Sequence, residues 1–370
     1  MKVLLMGDAS NYHATLAGGL RALGHEVTLA SDGSRWMRTG RDIDLGRHDS
    51  KLGGALLWAR LCGPLRSRLS GYDIVQLVSP GFARLRPERL MKLFERLRND
   101  NGAVFLTDLG TDSSLVRDFT GPRPALRYSE WHSSEGLRPW TSTPSARRNE
   151  WLSQPLMEYT DAVYAGVKGI VTALYEYDAV AAKQYPGVPR AYAGIPIDTA
   201  SVRPGKFDFG APLRVLYAAH RGREAEKGAD VLLHLLERAS ALRPGRLVID
   251  KPANMPYNSF VEYMRGCSVV CDQLYSFTPA TTALLAMAMG SVAITGGEPE
   301  FYDFIGEKEL RPVFNPEPDD FEGTLRRFID IIDRPAELDR MSVQAREFVR
   351  RHNDVVLVAQ RFSDFWEKMK

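Results

Sequence analysis

Short apolar runs alternate with helical repeats almost from end to end of the chain. The runs at residues 3–6, 26–30, 74–77, 104–107 and 162–165 have the length and aliphatic character of strands buried on both faces, and "HATLAGGLRALGH" supplies the first helical crossover between them. A second series opens at "LRVLYAAH". It runs through the helix "GADVLLHLLERASAL", the strand "RLVID", a short helix near "SFVEYMRG", the strand "SVVCDQL", the helix "TTALLAMAMG" and the strand "SVAIT". This alternation predicts an α/β protein with parallel sheets wrapped by helices. Between the two series, "AGIPIDTASVRPGKFDFGAP" is polar and rich in Pro and Gly, as interdomain linkers are. The expected architecture is two doubly wound Rossmann-like domains, 1–205 and 206–350, facing each other across a cleft, with a final helix in 351–370 packing back on the first domain. Residues 111–149, dense in Ser, Arg, Trp and Pro, are long for a connection and are expected to form a mobile insert that touches substrate.

Composition narrows the class. The chain has 370 residues, 44% hydrophobic and 25% charged, which suits two ordinary globular cores. Basic and acidic residues nearly cancel at +2, so no global field draws the protein to nucleic acid, and only local patches such as Arg84, Arg86 and Arg89 address an anionic surface. Cys62, Cys267 and Cys271 are too scattered for a disulfide framework, and no His or Cys cluster has metal-ligand spacing. "MKVLLMGD" reads as a first strand and not a signal peptide, and no apolar stretch approaches a membrane span. These features imply a cytoplasmic protein without a metal, with peripheral membrane contact left open.

Ligands of doubly wound sheets bind at the carboxyl ends of the strands, so the loops there carry the candidate chemistry. In "LYAAHRGREAEKGADVLLHLL", Arg221 and Lys227 occupy a loop that leaves a strand and enters a helix. Two cations and a helix start favour an anion such as a phosphate. The competing reading is a solvated turn whose charges pair with Glu224 and Glu226.

The order of motifs resembles the retaining GT-B glycosyltransferases of family four. Their second domain carries an Arg and a Lys about five residues apart for the donor diphosphate, then a helix ending in "EAMAxGxPVV"; here the matching stretch is "ALLAMAMGSVAIT". Their linker resembles "NGVDxxxFxP", with Gly194, Ile195, Asp198 and Pro204 in those places, and "LAGGLRALGHEVTLAS" is similar to their amino-terminal "LAxxLxxxGHEVTVxT". The tripeptide "DQL" is similar to that of a bacterial subset. The resemblance implies that Arg221 and Lys227 hold the pyrophosphate of a nucleotide diphosphate sugar and stabilise the charge that grows as the sugar leaves, without a metal or other cofactor. The family's Gly-rich turn after the first strand is replaced by "GDASNYHA", where Asn11, Tyr12 and His13 are candidates to line the cleft; for His13 an ordinary place at a helix start stands equally open.

Two glutamates seven residues apart are usual on the family's donor helix. Their positions fall on Phe277 and Leu285, neither of which accepts a hydrogen bond. Thr278, Thr281 and Thr282 supply hydroxyls at the helix start, either for ligand oxygens or for capping. Asp272, Gln273 and Tyr275 lie at a strand's carboxyl end, with a turn-bonding role open for Asp272. The stretch that clasps the base in the family is shorter here, and Lys251, Asn254, Tyr257 and Asn258 are its polar groups. After "AVFLT", where many members have a histidine, "DLGTD" offers Asp108 and Asp112. An aspartate there orients or deprotonates an acceptor hydroxyl, Asp112 being first choice, or caps the loop.

The expected function is transfer of a sugar to a hydroxyl of a glycan or lipid-linked acceptor, with retention. The alternative is a catalytically silent GT-B protein that binds a nucleotide, a sugar or a partner, as the missing glutamates suggest. A nicotinamide-dependent dehydrogenase is disfavoured because the first strand lacks G-x-G-x-x-G.

Overall fold

The computed structural model describes residues 1–218, 222–252 and 255–369. The chain forms two compact units and passes between them four times: unit 1 is Met1–Ala125, Arg148–Pro196 and Val355–Lys370, and unit 2 is Leu126–Arg147 and Ile197–Asp354.

Unit 1 builds a parallel sheet from β1 (Lys2–Met6), β2 (Glu26–Ser31), β3 (Ile43–Asp44), β4 (Ile74–Leu77), β5 (Ala103–Asp108), β8 (Ile170–Thr172) and β9 (Arg190–Tyr192), in the order β3-β2-β1-β4-β5-β8-β9. Register is set along β1 by Met6 opposite Ala30 on one side and Leu77 on the other. Both faces of β1 are covered, which is why Val3, Leu4, Leu5 and Met6 form an unbroken buried run. The sequence expectation of a strand at 162–165 is corrected: these residues lie in the helix Gln154–Gly166, and the strand is β8. Tyr159, Thr160, Val163 and Tyr164 are its buried positions, a helical spacing that a four-residue reading missed. The final helix, Val355–Lys368, lies in unit 1 against Tyr12–Ala22. A Cβ on Gly19 would come within 2.4 Å of the Val355 carbonyl oxygen, so glycine is what lets the two helices close.

Unit 2 holds β10 (Leu213–Tyr217), β11 (Leu247–Asp250), β12 (Val269–Cys271), β13 (Val292–Ile294) and β14 (Val313–Phe314), all parallel in the order β11-β10-β12-β13-β14. Leu232, Leu235 and Leu236 of the helix Ala229–Leu242 and Phe328 of Phe321–Ile332 fill its core over Val215, Val269 and Ile294. Unit 2 begins at Ile197 and not near residue 206, because Ile197 joins Asp354 in a parallel bridge and its N–H donates to the Asn353 carbonyl at 2.8 Å. The expected insert is divided between the units. Its central part, Leu126–Arg147, belongs to unit 2, carries the antiparallel pair β6 (His132–Ser133) and β7 (Gly136–Leu137), and buries Leu126, Tyr128, Trp131 and Ala146. Among the described residues no helix is long and apolar enough to cross a membrane.

Candidate functional site

In unit 2 the chain leaves β10 for β11 on one side and returns to β12 on the other, so the loops after β10 and β12 part at one edge of the sheet. That reversal is where doubly wound sheets open a crevice for ligands. Arg221, in the first of these loops, lies outside the described residues. The loop ends in a helical turn, Glu224–Lys227, followed by Gly228 at φ 65°. A side chain at Gly228 would strike Leu274 and Tyr275, its Cβ lying 2.7 Å and 2.8 Å from their nearest atoms, and the Leu274 N–H donates to the Lys227 carbonyl at 2.9 Å. Glycine therefore clamps the two loops together. Arg223 takes Glu226, Nε to Oε2 at 2.8 Å. The Lys227 ammonium, half-buried, has no hydrogen-bond or ion-pair partner among the described residues. The turn's acids therefore do not neutralise it.

The loop after β12 adds polar groups in the same condition. Asp272 is buried; its N–H donates to Ile294 at 3.0 Å, but its Oδ2 meets no partner among the described residues. The buried hydroxyls of Ser276 and, after β13, Thr295 are likewise without a partner. Such atoms are rare, because each forfeits its hydration without recovering a hydrogen bond. Ser276 and Thr295 were missed in the sequence, where nothing separates them from other hydroxyls. Gln273 and Tyr275 are half-buried beside Asp272, and Thr278 is buried. Thr281 and Thr282 open the helix Thr281–Met289, whose N-cap is Ala280; the N-cap residue is thus not a threonine and makes no side-chain cap bond. Phe277 is buried with its ring 4.6 Å from that of Tyr128, and Leu285 packs beside Leu216 and Val270. Lys251 is exposed and paired with Glu237 at 3.2 Å, so its ammonium is engaged on the protein's own surface. Of its former companions, Tyr257 and Asn258 begin the helix Tyr257–Met264, and Asn254 lies outside the described residues.

The segment Leu126–Arg147 is fastened to this part of unit 2 by a buried carboxylate. Glu298 accepts from the Tyr128 hydroxyl at 2.6 Å and the Asn315 amide at 3.1 Å, and pairs closely with Arg127, which also reaches Glu300 at 3.0 Å. Farther along, the Arg138 guanidinium lies 3.6 Å from the centre of the Tyr275 ring, and the turn Pro139–Ser142 packs against Glu224–Lys227.

In unit 1 the candidate groups are held differently. Asn11 sits at φ 63° before the helix Tyr12–Ala22, its N–H donating to Ser34 Oγ at 3.3 Å. Tyr12 is buried and donates to the Gly194 carbonyl at 2.7 Å. His13 is fully buried, Nδ1 2.8 Å from the Gly7 carbonyl and Nε2 3.2 Å from Thr107 Oγ1. Thr107 accepts from Gln76 at 3.0 Å, and Gln76 accepts from the Trp366 indole at 2.9 Å. A carbonyl only accepts, so Nδ1 carries the proton and Nε2 accepts from Thr107. Burial holds this imidazole neutral by lowering its pKa to about 4. Tyr12 and His13, candidates to line the cleft, both use their polar atoms inside unit 1.

Asp112 caps the helix Ser113–Phe119, Oδ1 accepting from the Leu115 N–H at 2.9 Å and Oδ2 from the Tyr164 hydroxyl at 2.9 Å. Burial raises its pKa against those bonds, and burial with the neighbouring Asp112 charge raises that of Asp108 well above the usual carboxylate range. The structure thus gives Asp112 the capping role and brings the two aspartates together around Tyr164. Among the described residues no group of three His, Cys, Asp or Glu is placed to hold a metal ion.

Two parallel, doubly wound units in one chain define a GT-B fold, and the solved structures it is similar to agree. Sucrose-phosphate synthase from Thermosynechococcus elongatus aligns over 100% of this chain and 99% of its own, with a TM-score of 0.66 and 12% identity. HepE from Anabaena in complex with UDP-glucose aligns over 100% of both chains, with a TM-score of 0.61 and 10% identity. An alpha-glucosyltransferase in complex with UDP-glucose and DNA containing an abasic site aligns over 99% of both, with a TM-score of 0.57 and 13% identity. No protein-family model matches the chain, and no curated protein matches it in sequence.

Proposed function

We propose that the protein is a glycosyltransferase that moves a sugar from a nucleoside diphosphate sugar to a hydroxyl of a glycan or lipid-linked saccharide. One observation carries this reading: at the carboxyl edge of β10, β12 and β13 a lysine ammonium, a carboxylate oxygen and two hydroxyls stand without partners among the described residues. A diphosphate sugar has complements for all of them, phosphate oxygens for the ammonium and hydroxyls for Asp272, Ser276 and Thr295. The UDP-glucose named with HepE and with the alpha-glucosyltransferase supports the donor class. Lys227, with Arg221 in the same loop, stabilises charge on the departing diphosphate, which is electrostatic catalysis that needs no metal. Gln273, Tyr275, Thr278, Thr281 and Thr282 surround the donor in this reading, and Lys251 drops out of it. Asp108 and Asp112 position the loop after β5. The acceptor proton goes to the donor phosphate, with attack on the leaving group's own face and retention.

A second reading, a silent nucleotide- or sugar-binding protein, is favoured by Phe277, whose burial against Tyr128 leaves no carboxylate at that place. Thermal shift with UDP, GDP, ADP, CMP and their sugars, with Lys227→Ala as control, tests the donor site. Stabilisation by one nucleotide that is lost in the variant supports it; no response to any of them overturns it. Release of free sugar from the stabilising donor then separates the enzyme from the binder.

A further inference from the structure

We propose that Arg138, carried by the segment Leu126–Arg147, is a phosphate-binding residue of this site and works beside Lys227 on the diphosphate of the donor. The inference rests on the donor reading above and adds a residue outside every motif. Arg138 Nε donates to the Ser129 carbonyl at 2.8 Å, and the flat guanidinium covers the Tyr275 ring at 3.6 Å from its centre. Its Nη2 is buried with no partner among the described residues, and no carboxylate among them pairs with it. An arginine cannot shed its charge, so an unpaired buried N–H is unfavourable until an acceptor arrives.

Arg127, on the same segment, shows the opposite condition. Its charge is met by Glu298 and Glu300, and with Tyr128 it forms the anchor. Ser129 follows that anchor directly and holds Arg138 through its carbonyl, so the position of the guanidinium is set by buried contacts. With Nε on the Ser129 carbonyl and the guanidinium over the Tyr275 ring, Nη2 is the N–H group left for an oxyanion. Tyr275 is also the ring that meets Gly228, directly after Lys227, and Pro139–Ser142 packs on the turn that carries Lys227. Arg138 and Lys227 therefore flank one loop, and a diphosphate there gains from both.

The test is calorimetric titration of the full chain with UDP, GDP and ADP and their monophosphates, in the wild type, Arg138→Gln, and Arg138→Met, which keeps the stem on Tyr275 without the charge. The expected result is that the preferred diphosphate binds about tenfold or more weaker in both variants while its monophosphate changes little, as loss of a charge-assisted phosphate contact requires. A wild-type preference for diphosphate over monophosphate in whichever variant folds would overturn the proposal and leave Arg138 as a support for Tyr275. Failure of the donor reading looks different: the wild type itself binds none of the nucleotides, and both readings fall together.

Discussion

The carboxyl edges of the two sheets are built from the same kind of polar residue and differ in which of these residues are paired, although the Ser113 and Ser114 hydroxyls after β5 are without partners among the described residues, as Ser276 and Thr295 are in unit 2. In unit 1, His13 is bonded at both ring nitrogens, in a chain through Thr107 and Gln76 to Trp366, and both Asp112 oxygens accept hydrogen bonds. In unit 2, Lys227, Asp272 Oδ2, Ser276 Oγ and Thr295 Oγ1 are without partners among the described residues. A satisfied buried network rigidifies, whereas an unsatisfied one is poised for a ligand. One layout thus leaves His13 and Asp112 paired in unit 1 and Lys227 and Asp272 Oδ2 without partners among the described residues in unit 2.

The contrast breaks first at Lys227. Lys227→Ala is expected to lower turnover by about 100-fold or more with little change in the melting temperature of the free protein, because the ammonium partners the donor phosphate and not another group of the chain; steady-state rates alongside thermal unfolding check it. Glu298→Ala should be the largest structural lesion, about 2–3 kcal/mol, since Arg127, Tyr128 and Asn315 lose their shared acceptor. Denaturant unfolding reads that loss, and protease cutting within 126–147 shows whether the segment has come off.

The unit 1 network is tested through pH. The folded pKa of His13, about 4, lies below the ordinary 6.5, so the unfolded chain takes up the proton first as pH falls. Stability is fully present above about pH 6.5 and declines toward pH 4, by up to about 3 kcal/mol. Burial raises the pKa of Asp8, Asp108 and Asp112, which gives the opposite slope, so the informative quantity is the wild type minus His13→Asn across that window. Equal slopes would mean that His13 is not held neutral. The smallest effect belongs to Lys251→Ala, which breaks one exposed ion pair and should move stability by about 0.5 kcal/mol or less, with donor binding unchanged.

Much of the fold was legible in the chain because its signals are local. The runs at 3–6 and 74–77 are strands within one residue, and "TTALLAMAMG" begins its helix at Thr281. Failures came where the local signal was short or double-valued. The two-residue strands β3 and β14 leave no pattern, and 162–165 is an apolar run that suits a strand but is folded as part of a longer helix. Among the proposed donor groups, Asp272 was singled out by its place at a strand end and Arg138 only by its place in the Arg-rich stretch 111–149, whereas Ser276 and Thr295 had nothing to distinguish them.

The sequence by itself determined the alternation of strands and helices, the two series, and the placing of polar groups at strand ends, since each follows from residues a few positions apart. Tertiary structure alone decided which of those groups are satisfied. The partners of His13 lie at Gly7 and at Thr107, 94 positions away, and Trp366 joins Gln76 across 290. It also decided that Leu126–Arg147 folds with the second unit, through a carboxylate 170 residues downstream of Tyr128. Hydrogen bonds and charge pairs act over a few ångströms, and which residues come that close is set by packing of the whole chain, not by neighbours along it.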